Sequence, residues 1–286
     1  MIFDTKLALL FLIGTLTGAS ARTECINQCG GIAAAYENND KLYRCANEDK
    51  ICNSYVVSVF SQVRVFPNVC NGILLTPKIV LTAASCISAG ANGQTTSPDS
   101  TKVSTAYINS TTAGPKVYDV DKMISHESYV AGSSVNDLAL IFLKKEIPNV
   151  DTVKLYAGNP ADNAIARIFG YTRQGETRAV GFTSLGLSLI PEDERCVANS
   201  YEWKPKENKL ICTSSNMATA ACIFNQGAPL VTVNPSRRLV YGLLSAYNGT
   251  NNSNYVDYFV NLNSQMTWIT KNSGLNASSI SATSGF

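Results

Sequence analysis

Ser85, Asp137, Gln226 and His126 decide what chemistry this sequence can do. Nucleophilic catalysis by a hydroxyl needs a base within hydrogen-bond reach and a group that orients the base. Asp137 carries a carboxylate able to orient one. The Ser85 hydroxyl cannot act as a base near neutral pH, and the Gln226 amide nitrogen does not attack a carbonyl. His126 is the single histidine in 286 residues, so an imidazole base could come from one place only. A serine–lysine pair is conceivable in principle, but no spacing of serine and lysine points to one.

These residues sit in motifs that carry a resemblance. Leu81-Thr82-Ala83-Ala84-Ser85-Cys86 resembles the L-T-A-A-H-C signature of trypsin-like serine proteases, with Ser85 at the histidine position. Cys222 to Val231 resembles C-x-G-D-S-G-G-P-L-V, with Gln226 at the nucleophile position. Asn136-Asp137-Leu138-Ala139-Leu140 resembles N-D-I-A-L, which gives Asp137 the place of the triad aspartate. Cys70-Asn71-Gly72-Ile73-Leu74 is similar to C-G-G-S-L, and Ser125-His126-Glu127-Ser128-Tyr129 to the H-P-x-Y element. Gly170-Tyr171-Thr172 is similar to a degraded G-W-G, Gly242-Leu243-Leu244-Ser245 to G-I-V-S, and Trp268-Ile269 to the terminal W-I. The order and separations of these motifs together are specific, over roughly residues 55–270.

The resemblance implies an all-β fold of two packed antiparallel six-stranded Greek-key barrels with a C-terminal helix. It implies disulfides Cys70–Cys86 and Cys196–Cys212, and a cleft lined by the Ser245 strand. It also implies a degenerate triad at Ser85, Asp137 and Gln226, with Asp137 reduced to a buried carboxylate that accepts bonds from Ser85 and nearby backbone donors. The family's pattern puts His126 on a loop away from the triad. Phe224 stands where a glycine shapes the oxyanion hole, and a bulky side chain meets a steric penalty there. Asn225 replaces the aspartate that pairs with the new amino terminus of an activated protease, and no I-V-G-G precedes Tyr55. In the specificity pocket, Ala220 stands where tryptic members carry an aspartate, and Tyr247 replaces a glycine at the mouth. Cys222 lacks its customary partner, since residues 246–256 contain no cysteine.

The elements that must position these residues follow from composition and pattern. Hydrophobic residues make up 45% of the chain, charged residues only 15%, and the net charge is +2. A core is possible; no basic stripe marks a nucleic-acid partner; no long apolar run after the N-terminus marks a membrane span. Residues 1–21 read as a signal peptide, with Lys6 before the apolar stretch Leu7 to Leu16 and Ala19-Ser20-Ala21 for cleavage. Residues 22–54, with Cys25, Cys29, Cys45 and Cys52, read as a small cysteine-rich extension. Residues 55–272 form the main domain. Its short β-rich runs are Tyr55–Phe60, Val63–Phe66, Ile73–Leu75, Ile79–Ala83, Val103–Ile108, Leu138–Leu143, Ala179–Thr183, Leu230–Val233 and Leu239–Ser245. A helix is expected over 262–271, and the Ser/Asn/Gly-rich tail 273–286 is expected to lack structure.

Nine cysteines and sequons at Asn109, Asn248, Asn251 and Asn276 agree with a secreted, extracellular, glycosylated protein. The reading is a secreted non-catalytic protease homologue that binds an extracellular protein, such as a protease or other hydrolase, with no cofactor or metal. Two alternatives stand beside it: an active hydrolase of unusual design, and a structural glycoprotein whose surface carries the function.

Overall fold

The computed structural model describes residues 55–62, 67–89, 94–105, 116–161, 164–171, 182–189, 196–197, 202–214, 226–232, 239–248 and 256–283. The signal peptide, the cysteine-rich extension and the expected strand Val63–Phe66 lie outside these residues.

The first barrel is built from Val56–Gln62 (β1), Pro67–Thr76 (β2), Ile79–Thr82 (β3), Thr101–Ser104, Val117–Ser125 and Ala139–Leu143. A small ribbon, Ser88–Ala89 (β4) with Gln94–Thr95 (β5), precedes the last three, which are β6, β7 and β8. The strands close in the order β1-β2-β3-β8-β7-β6. Thr76 makes the β2–β3 turn by accepting bonds at Oγ1 from the N–H groups of Lys78 (3.2 Å) and Ile79 (3.0 Å). Val57, Val59, Leu74, Leu81, Leu140 and Ile141 are fully buried in the common core. Closure removes the unpaired edges that an open sheet would present.

The second barrel uses Ile165–Tyr171 (β10), Phe182–Leu189 (β11), Leu210–Ser214 (β12), Pro229–Thr232 (β13), Leu239–Asn248 (β14) and Val256–Asn261 (β15), after the short strand Lys154–Tyr156 (β9). The sheet runs β13-β10-β11-β12-β15-β14, and a β13–β14 pairing joins its ends into a six-stranded ring. Strand β9 adds in parallel to β14. Ile168, Ile211, Leu230, Leu244 and Phe259 fill the interior.

Two disulfides form as the resemblance implies, Cys70–Cys86 and Cys196–Cys212. The C-terminal helix, Met266–Ser273 (α1), buries Trp268 and Ile269 against the first barrel. It stops at Gly274, whose left-handed backbone (φ +73°) costs glycine least of any residue.

The tail differs from expectation. Ala277–Ile280 (α2) is one helical turn, and Ser281–Ala282 (β16) pairs in parallel with β9. Ile280 is 2% exposed and joins the common core, which ties down a segment whose composition is otherwise polar. Lys154 adds a bond to the Ser279 carbonyl. Among the described residues no helix is long and apolar enough to cross a membrane.

Candidate functional site at the barrel seam

Ser85 stands in a single 3-10 turn, Ala84–Cys86, directly after β3. The turn is held from several sides. The Cys70–Cys86 bond ties it to β2. Buried Ser61 donates to the Cys86 carbonyl (2.6 Å), Ser88 to the Ala84 carbonyl (2.7 Å), and Asn68 to the Ser85 carbonyl (3.3 Å).

Asp137 approaches from the other side, two residues before β8. The residue before it, Asn136, has φ +58°, and its side chain accepts a bond from Gln265 next to α1 (3.1 Å). Asparagine tolerates this backbone region better than most side chains. Asp137 is 1% exposed. Its Oδ1 accepts the Ser85 N–H (2.7 Å), and its Oδ2 accepts the Ser85 hydroxyl (2.9 Å) and the Ser245 hydroxyl (2.6 Å).

Ser245 belongs to the second barrel, and a bulge in β14 explains how it gets there. The β14–β15 register shifts between Leu244 and Ala246, leaving Ser245 as the extra residue. Such an insertion re-aims a side chain out of the regular pleat. The hydroxyl therefore crosses the seam to Asp137.

Burial pushes the Asp137 carboxyl up to about 6. Donors from Ser245, the Ser85 backbone and hydroxyl, and the Ala84 backbone pull against that shift. Tyr129 faces the same charge: burial first, then Asp137 and Glu202, push its phenol up to about 12. Glu202 also accepts the Ser134 N–H (2.7 Å), linking the loop before Asp137 to the segment after Cys196.

His126 does not approach this carboxylate through its ring. The ring stacks on Trp268 with centroids 5.0 Å apart, and its Nδ1 accepts the Ser128 N–H (3.1 Å). Desolvation lowers its pKa below the ordinary histidine value, against the pull of Glu127 and Gln265. Glu127 in turn accepts the Trp268 indole N–H (2.6 Å). The single imidazole thus works where α1 docks on the first barrel.

Gln226 lies at the seam. Its carbonyl accepts the Asn71 N–H (2.8 Å), and the next residue, Gly227, donates to the Leu244 carbonyl (2.7 Å). Gly227 has φ +79°, and a Cβ there would stand 2.0 Å from the Asn71 carbonyl oxygen. Only glycine allows that approach.

Asn71 is a residue that sequence reasoning missed. It is fully buried, and its side chain crosses to β10. Its Oδ1 accepts the Tyr171 N–H (2.7 Å) and its Nδ2 donates to the Tyr171 carbonyl (3.2 Å). The signal available was a polar side chain at a glycine position of the C-G-G-S-L element.

The structure therefore brings Ser85, Asp137 and Ser245 into one hydrogen-bonded group and puts the Gln226 backbone on the same seam. Tyr247 and Asn248 lie at the end of β14, with Tyr247 opposite Asp257 of β15. Asn276 is exposed. Ala220, Cys222, Phe224, Asn225, Asn109 and Asn251 lie outside the described residues.

The closed six-stranded barrel, the second six-stranded ring and the C-terminal helix form the double-barrel fold of trypsin-like serine proteases. The family model for trypsin matches residues 48–269. The chain belongs to the trypsin family. It is 27% identical to trypsin delta of Drosophila erecta over 213 residues, 71% of this chain and 78% of the relative. It is 24% identical to trypsin eta of the same species over 276 residues, 92% of this chain and 95% of the relative. It is 24% identical to urokinase-type plasminogen activator of Gallus gallus over 273 residues, 90% of this chain and 62% of the relative.

Proposed function

We propose that this trypsin-family chain is a secreted protein that binds a partner without cutting it. The observation that carries the reading is the occupancy of Asp137. Its oxygens take the hydroxyls of Ser85 and Ser245 and the Ser85 N–H, and no imidazole joins them. A carboxylate in a triad works by orienting and stabilising a histidine, which then moves the proton. With serine in that place, no group is matched to take a proton from a nucleophile near neutral pH.

The rest of the ancestral machinery supports the same reading. Gln226 supplies no nucleophile, Asn225 no activation charge and Ala220 no pocket charge. Loss of an oxyanion donor alone costs about 10²–10³ in turnover, and Phe224 replaces the glycine that shapes that hole. Ser85, Asp137 and Gln226 are thus retained positions of a degenerate triad whose present role is structural. Secretion is supported by the apolar leader, the cysteine count and the four sequons. The exposed Asn276 is a surface position open to a glycan.

The test is turnover. Purified, deglycosylated protein incubated with peptide and ester substrates should give the same rate as a Ser85→Ala/Gln226→Ala control. A wild-type rate above that control would remove the reading.

A further inference from the structure

The tail after α1 returns to the connector between the barrels and completes its sheet. The connector carries β9, between the end of β8 at Leu143 and the start of β10 at Ile165. On one side β9 pairs with β14, through Lys154 and Leu155. On the other it pairs with β16, with Leu155 opposite Ser281 and Tyr156 opposite Ala282. The Ala157 N–H extends that ladder to the Ala282 carbonyl (2.9 Å). Without β16, β9 would end the sheet as an open edge, with a row of backbone donors and acceptors.

Few contacts hold the tail there. Ile280 is buried in the cluster that also holds Val153 and Leu155, and Leu275 packs partly against it. Between them, Asn276, Ala277, Ser278 and Ser279 are exposed. Polar groups of this stretch bond within the tail. The Ser279 N–H and hydroxyl donate to the Asn276 carbonyl (2.9 and 2.6 Å), and the Ser281 hydroxyl to the Ala277 carbonyl (2.8 Å). The tail leaves α1 at Gly274, where a Cβ would meet nothing within 4 Å, so no packing fixes the joint. The match to the trypsin family stops at residue 269, short of the whole segment. A segment with few buried contacts opens locally at a lower cost than the fold as a whole.

A strand edge beside a pocket for one side chain is how folded domains take up extended peptides. The ladder bonds give affinity, and the pocket gives selectivity. We propose that residues 275–283 are a displaceable strap, a ligand held in cis on a strand-addition site along β9. Once the strap lifts, the site takes an extended segment of a protein partner. That segment runs parallel to β9 and carries an aliphatic side chain just before the paired residues, as Ile280 does here. Ser85, Asp137 and Ser245 take no part in this, so the inference stands whether or not the chain cuts a substrate.

The test uses the full-length chain with a site for a sequence-specific protease inserted after Gly274, folded first and cut afterwards. A labelled peptide of residues 275–283 is added, and its uptake is followed by fluorescence anisotropy. A tethered strap competes at an effective concentration of about millimolar, so cutting should raise uptake roughly tenfold or more. The same peptide carrying Ile280→Asp should not be taken up. Equal uptake before and after cutting, no uptake after cutting, or equal uptake of the Ile280→Asp peptide would overturn the proposal. Unfolding on cutting would overturn it too, because the tail would then be part of the core rather than a ligand of it.

Discussion

The Ser245 hydroxyl donates to Asp137 Oδ2 at 2.6 Å across the seam between the two barrels. The bond links a bulge in β14 to the residue two positions before β8. It also fills a lone pair of the carboxylate that Ser85 already bonds twice. Ser85, Asp137 and Ser245 thereby act as a seam fastening.

The first prediction concerns pH. Asp137 has its carboxyl raised from 3.8 to about 6 in the fold, chiefly by burial. Its contribution to stability is full below the unfolded value and is lost as pH rises through about 6. Asp137→Asn should therefore gain stability relative to wild type between pH 4 and pH 7, by up to roughly 3 kcal/mol. The rotatable serine hydroxyls can turn to accept from the new amide. Chemical denaturation of both proteins across that range checks this. A stability difference that does not change with pH would contradict it.

His126 should act in the opposite sense. Its pKa is lowered in the fold, so the unfolded chain binds more protons around the ordinary histidine value of 6.5. Its contribution is present above that value and is lost as pH falls below it through the lowered value of the fold. His126→Phe, which keeps a ring to stack on Trp268, should flatten the acid-side fall. The readout is melting temperature from pH 7.5 to pH 5 in an Asp137→Asn background, which removes the competing slope.

Asn71→Ala should loosen the two barrels from each other. It leaves the Tyr171 N–H and carbonyl without the side chain that bridges them. The expected loss is about 2–4 kcal/mol. Hydrogen exchange should rise at β2 and β10 together; a rise confined to β2 would argue against a clasp.

Gly227→Ala puts a methyl 2.0 Å from the Asn71 carbonyl at φ +79°. The cost should be roughly 3 kcal/mol or more, since backbone rather than a flexible side chain must yield. Thermal unfolding is the check, and a near-neutral result would mean that the Gln226 turn is not fixed against β2.

Much of the fold was legible from local motifs. The turn at Thr76 and the strands that became β3, β8 and β13 follow from apolar runs and turn residues, and both disulfides follow from the family resemblance. Strands β7, β10, β12 and β15 escaped notice. Polar residues interrupt β7, as in Asp119, Asp121 and Lys122, and Asp257 interrupts β15. Their burial is set by partners distant in sequence. The tail misled for the same reason: one residue, Ile280, outweighs its polar neighbours once a pocket in the core receives it. At the site, the bond between Ser85 and Asp137 follows from the motif order. The reach of Ser245 depends on a bulge, and the clasp of Asn71 on a barrel-to-barrel approach; neither leaves a periodic trace in sequence.

The most direct measurement is single-turnover hydrolysis of an activated ester at pH 7, comparing the deglycosylated wild type with Ser85→Ala/Gln226→Ala. The account predicts identical progress curves, with no burst and no covalent adduct in the mass spectrum. An acyl adduct on the wild type that the double variant lacks would contradict it.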